Sequence, residues 1–202
     1  MGGTVCFANW GKKQYIWIKY KKAPSCADGE CEMLQKSVVE LLNAQINKEL
    51  FSAYLYLDMA DFYASAGLEG FENWFKIQAQ EERDHALLFR QYILNNGHKV
   101  SLGAIADPSR EYKDYKAPLE GALEHERFVT ESINTIYTEA LKVKDYRTVQ
   151  FLDWFVKEQG EEEKNAEDNI RKYELFGDGK GLFMLDQSFM ARVYAAPSLI
   201  LD

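Results

Sequence analysis

Helix breakers are scarce in this 202-residue chain: it holds only 4 prolines and 13 glycines, which leaves room for long uninterrupted helices. The 3 cysteines, Cys6, Cys26 and Cys31, are odd in number and lie near the N-terminus, so they make no disulfide framework. Without a Cys-x-x-Cys there is no zinc ribbon and no four-cysteine iron site. No run approaches the roughly 18 apolar residues that a membrane span needs, and no basic n-region followed by an apolar stretch marks a signal peptide. A reducing cytoplasm and no membrane partner are the expectation. Positive charge is also short: 24 Lys and Arg against 32 Asp and Glu leave a net charge of -8, which argues against nucleic acid as a partner and suits attraction of cations. What is present, 47% hydrophobic and 28% charged residues, is the composition of one ordinary globular domain with a sizeable core.

Residues 1–32 differ from the rest. Gln14–Tyr20 reads as strand-like, and Lys12, Lys13, Lys19, Lys21 and Lys22 make the region basic. Cys26 and Cys31 flank a turn-like Ala27–Glu30. A clean amphipathic pattern begins just after Met33, so Met33 is read as the original start and residues 1–32 as an upstream extension outside the core; a docking or redox tail is the alternative. From Leu34 the period is helical, with Val38, Leu42, Gln45, Glu49, Ala53, Tyr56 and Ala60 on one face, to an end near Gly67. A second helix is expected over 69–95, a third from Pro118 and a fourth after a break at 144–146. A short amphipathic piece from Leu182 to about Val193 and a frayed tail with Pro197 complete the chain. The connection over 97–117 is long for a loop, yet a helix of about 27 residues is about 40 Å long and a return along it takes at least about 12 extended residues. Short, long and short connections give an all-α four-helix bundle with one long crossover over 33–177, followed by a short fifth C-terminal helix and tail over 178–202.

The apolar stripe of every long helix is broken near its middle by a side chain able to bind metal. The first gives Glu49. The second gives Glu82 and His85, one turn apart on the stripe Phe71, Phe75, Gln78, Glu82, His85, Phe89, Tyr92. The third gives Glu126, and the fourth gives Gln159 and Glu162, again three apart. A single interruption of this kind has a bland explanation, a solvated pair or a satisfied core polar group. Four carboxylates in one core do not, because burying each costs several kcal/mol and no Lys or Arg lies on these stripes. Protonation relieves part of that cost, and two divalent cations cancel all four charges. Carboxylates with one imidazole suit iron or manganese, and the pattern is that of di-iron carboxylate bundles with Gln159 in place of the second Glu-x-x-His residue. The two metal positions are therefore unequal, which favours a site of transit over a permanent cofactor.

Asn47–Tyr56 (NKELFSAYLY), Gln80–Ala86 (QEERDHA) and Trp154–Glu163 (WFVKEQGEEE) resemble the bacterial non-haem ferritins, over about Met33 to Phe189. The resemblance implies a ferritin-like cage of 24 identical subunits that oxidises Fe(II) with dioxygen and stores the ferric mineral inside. It implies that Glu49, Glu82 and His85 hold the first iron, with Glu82 bridging, and that Glu126 and Glu162 complete the second, with Gln159 beside it. Glu81, Glu158 and Glu161 match a third, looser iron site that shares Glu162, while Glu163 reads as part of a solvated charge run. Tyr56 matches a tyrosine beside the centre, an electron donor on one reading and a core aromatic with a satisfied hydroxyl on the other. His125 sits about 100° off the face of Glu126, beside the centre or at the surface; His98 reads as a solvated loop residue, and Trp74 and Trp154 as packing. None of the 5 Met stands where a haem ligand is expected. The rivals are a rubrerythrin-like peroxidase, which wants a second Glu-x-x-His; a structural storage subunit without oxidase activity, which lacks centre ligands; and a miniature ferritin, which lacks the last helix.

Overall fold

The computed structural model describes residues 3–8, 15–20, 33–177 and 179–201. Backbone proximity divides the chain into two units, Met1–Glu32 and Met33–Asp202. In the first, strand β1 (Gly3–Ala8) pairs antiparallel with β2 (Tyr15–Tyr20), Gly3 opposite Tyr20 and Ala8 opposite Tyr15. The strand-like reading of 14–20 falls on β2; β1 lies where the sequence reading named no element. The turn-like Ala27–Glu30 and its flanking cysteines lie outside the described residues.

The second unit is helical: α1 (Lys36–Ser65), α2 (Glu69–Asn95), α3 (Ala117–Lys142), α4 (Tyr146–Phe176) and α5 (Gly179–Met190). No helix is long and apolar enough to cross a membrane, among the described residues. Pro118 stands in the first turn of α3, where its missing N–H leaves no intrahelical bond unmade. Asp145 caps α4, accepting from the Thr148 N–H at 3.1 Å and from its hydroxyl at 2.6 Å.

Hydrogen bonds trace the crossover along α1. Asn43 accepts from the Ser101 N–H at 2.6 Å, and Asn47 accepts from Gly103 and donates to the Ala104 carbonyl. Farther on, Tyr112 donates to Asp58 at 2.9 Å and Tyr63 donates to the Tyr115 carbonyl at 2.6 Å. The segment thus retraces the length of α2 in the opposite direction, so α3 starts beside the start of α2 and runs parallel to it. His98 is half-buried and not simply solvated: its Nε2 accepts the Leu34 N–H at 3.2 Å and ties the start of the helical unit to the start of the crossover.

The apolar interior falls into two clusters. One gathers Leu42, Ile46, Phe89, Ile133, Leu152 and Phe155; the other gathers Tyr56, Met59, Tyr63, Phe71, Phe75 and Leu119. The polar breaks in the four stripes lie between them.

The end of the chain departs from the sequence reading. The fifth helix spans Gly179–Met190 and not 182–193. A Cβ on Gly181 would lie 2.4 Å from the Phe176 carbonyl oxygen, so the glycines let the chain fold back closely on the end of α4 and enter the first turn of α5. Phe189 of α5 meets Phe71 edge-on at 4.7 Å. The buried Asp186 carboxylate accepts the N–H groups of Gly70 and Phe71, at 2.8 and 3.1 Å, and so caps the first turn of α2. This closeness demands glycine at 70, where a Cβ would sit 1.7 Å from the Asp186 carbonyl oxygen. The tail after α5 is not frayed. It lies against the bundle, with residues 192, 194, 197, 199 and 201 half-buried, because Arg192, Tyr194 and Ser198 find partners on α2 and α4.

Candidate metal centre

The helical periodicity brings the six interrupting residues to one level of the interior. Glu49, Glu82, His85, Glu126, Gln159 and Glu162 are each between 1% and 5% exposed. Ligand atoms of Glu49, Glu82 and His85 all lie within 4.8 Å of one another, a spacing that one metal ion can span. His85 Nδ1 is 3.7 Å from Glu82 Oε2. On the other side, Glu126 accepts from the Tyr56 hydroxyl and, at 3.0 Å, from Gln159 Nε2, which also donates to the Glu126 carbonyl at 3.2 Å. Glu162 accepts from Gln78 at 2.9 Å. A cavity of about 20 Å³, room for about one water, reaches Glu126 and Glu162 between Trp74 and Asn169.

The oxygens that lack partners decide how this layer reads. Glu49 Oε2 and both carboxylate oxygens of Glu82 are buried and take no hydrogen bond from any group outside this pair; only a proton shared between Glu49 and Glu82 serves them. A buried acceptor left unpaired costs about 1–3 kcal/mol, more when charged. One oxygen of Glu49 and one of Glu82 converge with a His85 nitrogen, where a divalent cation would take all three. An oxygen-rich set with a single imidazole fits iron or manganese.

Burial favours the protonated form of three carboxyls in this layer. Burial, and next the charge of Glu82, pushes the Glu49 carboxyl well above the usual range. Burial and then the charge of Glu126 raise Glu82 likewise. Glu126 is pushed up to about 8 by burial and by the charge of Glu162. The Tyr56 phenol is raised too, by burial and by Glu126 beside it.

Around these groups stand partners that the sequence reading did not assign. Gln45 donates to Glu49 at 2.9 Å and accepts from Ser132 at 2.5 Å, and Lys48 donates to Ser132. Gln45 and Gln78 were visible as polar breaks in the stripes; an amide marks no metal chemistry, so nothing distinguished them. His125 is buried and not at the surface: its Nε2 is 2.7 Å from Ser52 Oγ and its ring stands edge-on to Tyr56 at 6.0 Å. Burial, helped by Arg110, lowers its pKa to about 4, so it stays neutral beside the tyrosine. Trp154 packs edge-on against His85 at 5.6 Å.

The three outer carboxylates are not drawn into one group. Glu81 pairs with Arg192 at 2.6 Å, and burial above all lifts its carboxyl to about 7. Glu158 is half-buried and raised by desolvation. Glu161 is exposed and pairs with Lys157 at 3.0 Å. Glu163, expected in a solvated run, is half-buried and accepts from Thr130 at 2.6 Å.

A family model described as a ferritin-like domain matches residues 39–176. The bacterial non-heme ferritin of Campylobacter jejuni is 40% identical over 156 residues, 77% of this chain and 93% of that protein. A probable bacterial non-heme ferritin-like protein of Haemophilus influenzae is 38% identical over 156 residues, 77% of this chain and 94% of its own. Among solved structures, an open pore ferritin from the hyperthermophilic archaeon Archaeoglobus fulgidus superposes with a TM-score of 0.78 at 40% identity, covering 80% of this chain and 99% of that one.

Proposed function

The chain belongs to the ferritin family, and from that premise we propose that it takes up Fe(II), oxidises it with dioxygen in the carboxylate layer and stores the ferric product inside a cage of like subunits. Iron here is substrate and cargo. Glu49, Glu82 and His85 receive one Fe(II); Glu82, Glu126 and Glu162 receive the other, with Gln159 beside it. Two Fe(II) give dioxygen one electron each, reducing it to the peroxide level, and hydrolysis of the ferric ions releases protons.

The protein's share is position and charge. The single observation that carries the reading is the set of oxygens on Glu49 and Glu82 that have no partner beyond each other, buried beside His85. Gln45 and Gln78 each hold one oxygen of a carboxylate and leave the other to turn toward metal. The second position has no imidazole, binds more weakly and lets ferric iron leave. Tyr56 can give up an electron while its phenolic proton passes to Glu126, which already accepts that hydrogen bond. Glu81, Glu158 and Glu161 would take iron on its way out, in competition with Arg192 and Lys157. Exposed apolar residues such as Tyr54, Leu57, Phe128 and Leu175 supply faces for subunit packing.

The test is to mix metal-free protein with Fe(II) in air and follow ferric absorbance against buffer. Acceleration that Glu82→Ala and His85→Ala abolish, with particle size unchanged, is expected. A wild-type rate no faster than buffer would refute the proposal.

A further inference from the structure

The tail after α5 does not leave the bundle. Residues 192–201 follow the bundle surface without regular secondary structure, with Arg192, Tyr194, Pro197, Leu199 and Leu201 half-buried and Val193 and Ile200 outward. Contacts at successive points fasten it to α2 and α4. Arg192 Nη2 lies 2.6 Å from Glu81 Oε2, its Nη1 donates to the Trp74 carbonyl at 3.2 Å, and its guanidinium stacks 4.0 Å over the Trp74 ring. Tyr194 donates to Asp84, and Trp154 Nε1 donates to Ser198 at 3.0 Å. Leu199 and Leu201 reach the apolar cluster that holds Phe155.

We propose that this strap is a plug displaced by cations: Arg192 fills the outer cation position at Glu81, and a divalent ion that binds there must push the guanidinium out and loosen the tail. The proposal rests on the reading of Glu81 as an iron ligand.

Charge and geometry support it. The Glu81 and Arg192 side chains are 17% and 16% exposed, so each is the other's main substitute for water. The negative charges of Glu162 and Glu158 also act on Glu81, so the guanidinium sits in a field built for more than one positive charge. A divalent ion brings twice the charge in a smaller volume. Arg192 brings the stacking on Trp74 and two hydrogen bonds, which hold the position when the divalent ion is dilute. The plug therefore sets the concentration at which the outer position fills. Its release also reaches the inner layer, because Trp154, fastened to Ser198, is the ring that packs on His85.

The test titrates zinc(II), which does not change redox state, into the metal-free full-length protein. Calorimetry compares wild type, Arg192→Gln, Glu81→Gln and the double variant, with tryptophan emission followed in parallel. The Glu81-dependent binding event is expected to be at least about tenfold tighter in Arg192→Gln, since a like charge within a few ångströms of the ion is gone. After the change that zinc causes in Glu81→Gln through the inner layer is subtracted, zinc should shift the emission of wild type toward that of Arg192→Gln and leave that variant unchanged. Equal Glu81-dependent affinity in wild type and Arg192→Gln would overturn the plug and leave the outer site standing. No Glu81-dependent zinc binding in either would overturn both.

Discussion

Glu126→Gln is expected to stabilise the metal-free protein at neutral pH while weakening its second iron position. Glu126 is buried, and its carboxyl is pushed up to about 8 by burial first and then by Glu162. A group whose folded pKa is raised contributes stability that is fully present below its unfolded value and lost as pH rises through the folded one. At pH 7 the folded chain therefore holds a proton that the unfolded chain has released. From the reference 4.5 to pH 7 that retention costs about 3 kcal/mol, at about 1.4 kcal/mol per unit. Glutamine has the same shape and no proton to hold. Its amide would face Gln159 Nε2, now 3.0 Å from Glu126 Oε2, so the Gln159 amide must turn, at a cost of about 1 kcal/mol. The net expectation is a gain of about 2 kcal/mol at pH 7 that falls to zero by about pH 5.5 and leaves a loss of about 1 kcal/mol below about pH 4.5. Urea denaturation of both proteins, metal-free and at one protein concentration, measures it at pH 5 and pH 7. A variant less stable than wild type at pH 7, or a difference equal at the two pH values, would refute the electrostatic account of this layer.

Gly70→Ala places a Cβ 1.7 Å from a backbone oxygen of α5, so it should cost about 3 kcal/mol or displace α5, read by urea denaturation and by particle size. Asp186→Ala removes the acceptor for two N–H groups of α2 and should cost about 1–2 kcal/mol in the same assay. Tyr56→Phe keeps the ring that packs near Phe75 and His125 and deletes the donor to Glu126. It should leave zinc affinity within about threefold of wild type, a change under about 1 kcal/mol, and slow iron oxidation after the first turnover; an unchanged time course would remove Tyr56 from the chemistry.

Legibility in the sequence followed the range of the physics. The helices and the inward turn of Glu49, Glu82, His85, Glu126, Gln159 and Glu162 follow from local periodicity, since a polar residue on an apolar stripe must enter the core with it. The start of α2 at Glu69 and its end at Asn95 coincide with the glycine and asparagine signals on either side. The start of α5 did not show, because Gly179 and Gly181 read equally as a break or as a tight approach. Gln45 and Gln78 stood on the right faces, yet which oxygen they hold depends on their rotamers in the packed layer. Arg192 carried no signal: its partner Glu81 is 111 positions away along the chain, and only the docking of α5 brings the two together. Lys157 and Glu161 form an exposed i,i+4 pair, which gives that carboxylate a partner other than metal.

The most direct measurement of the central claim is a crystal of the metal-free protein soaked anaerobically in Fe(II) and recorded at the iron absorption edge. Two anomalous peaks in the carboxylate layer are expected, one among Glu49, Glu82 and His85 and a weaker one between Glu82, Glu126 and Glu162. Iron bound only at the surface, with those carboxylates left bare, would contradict the account.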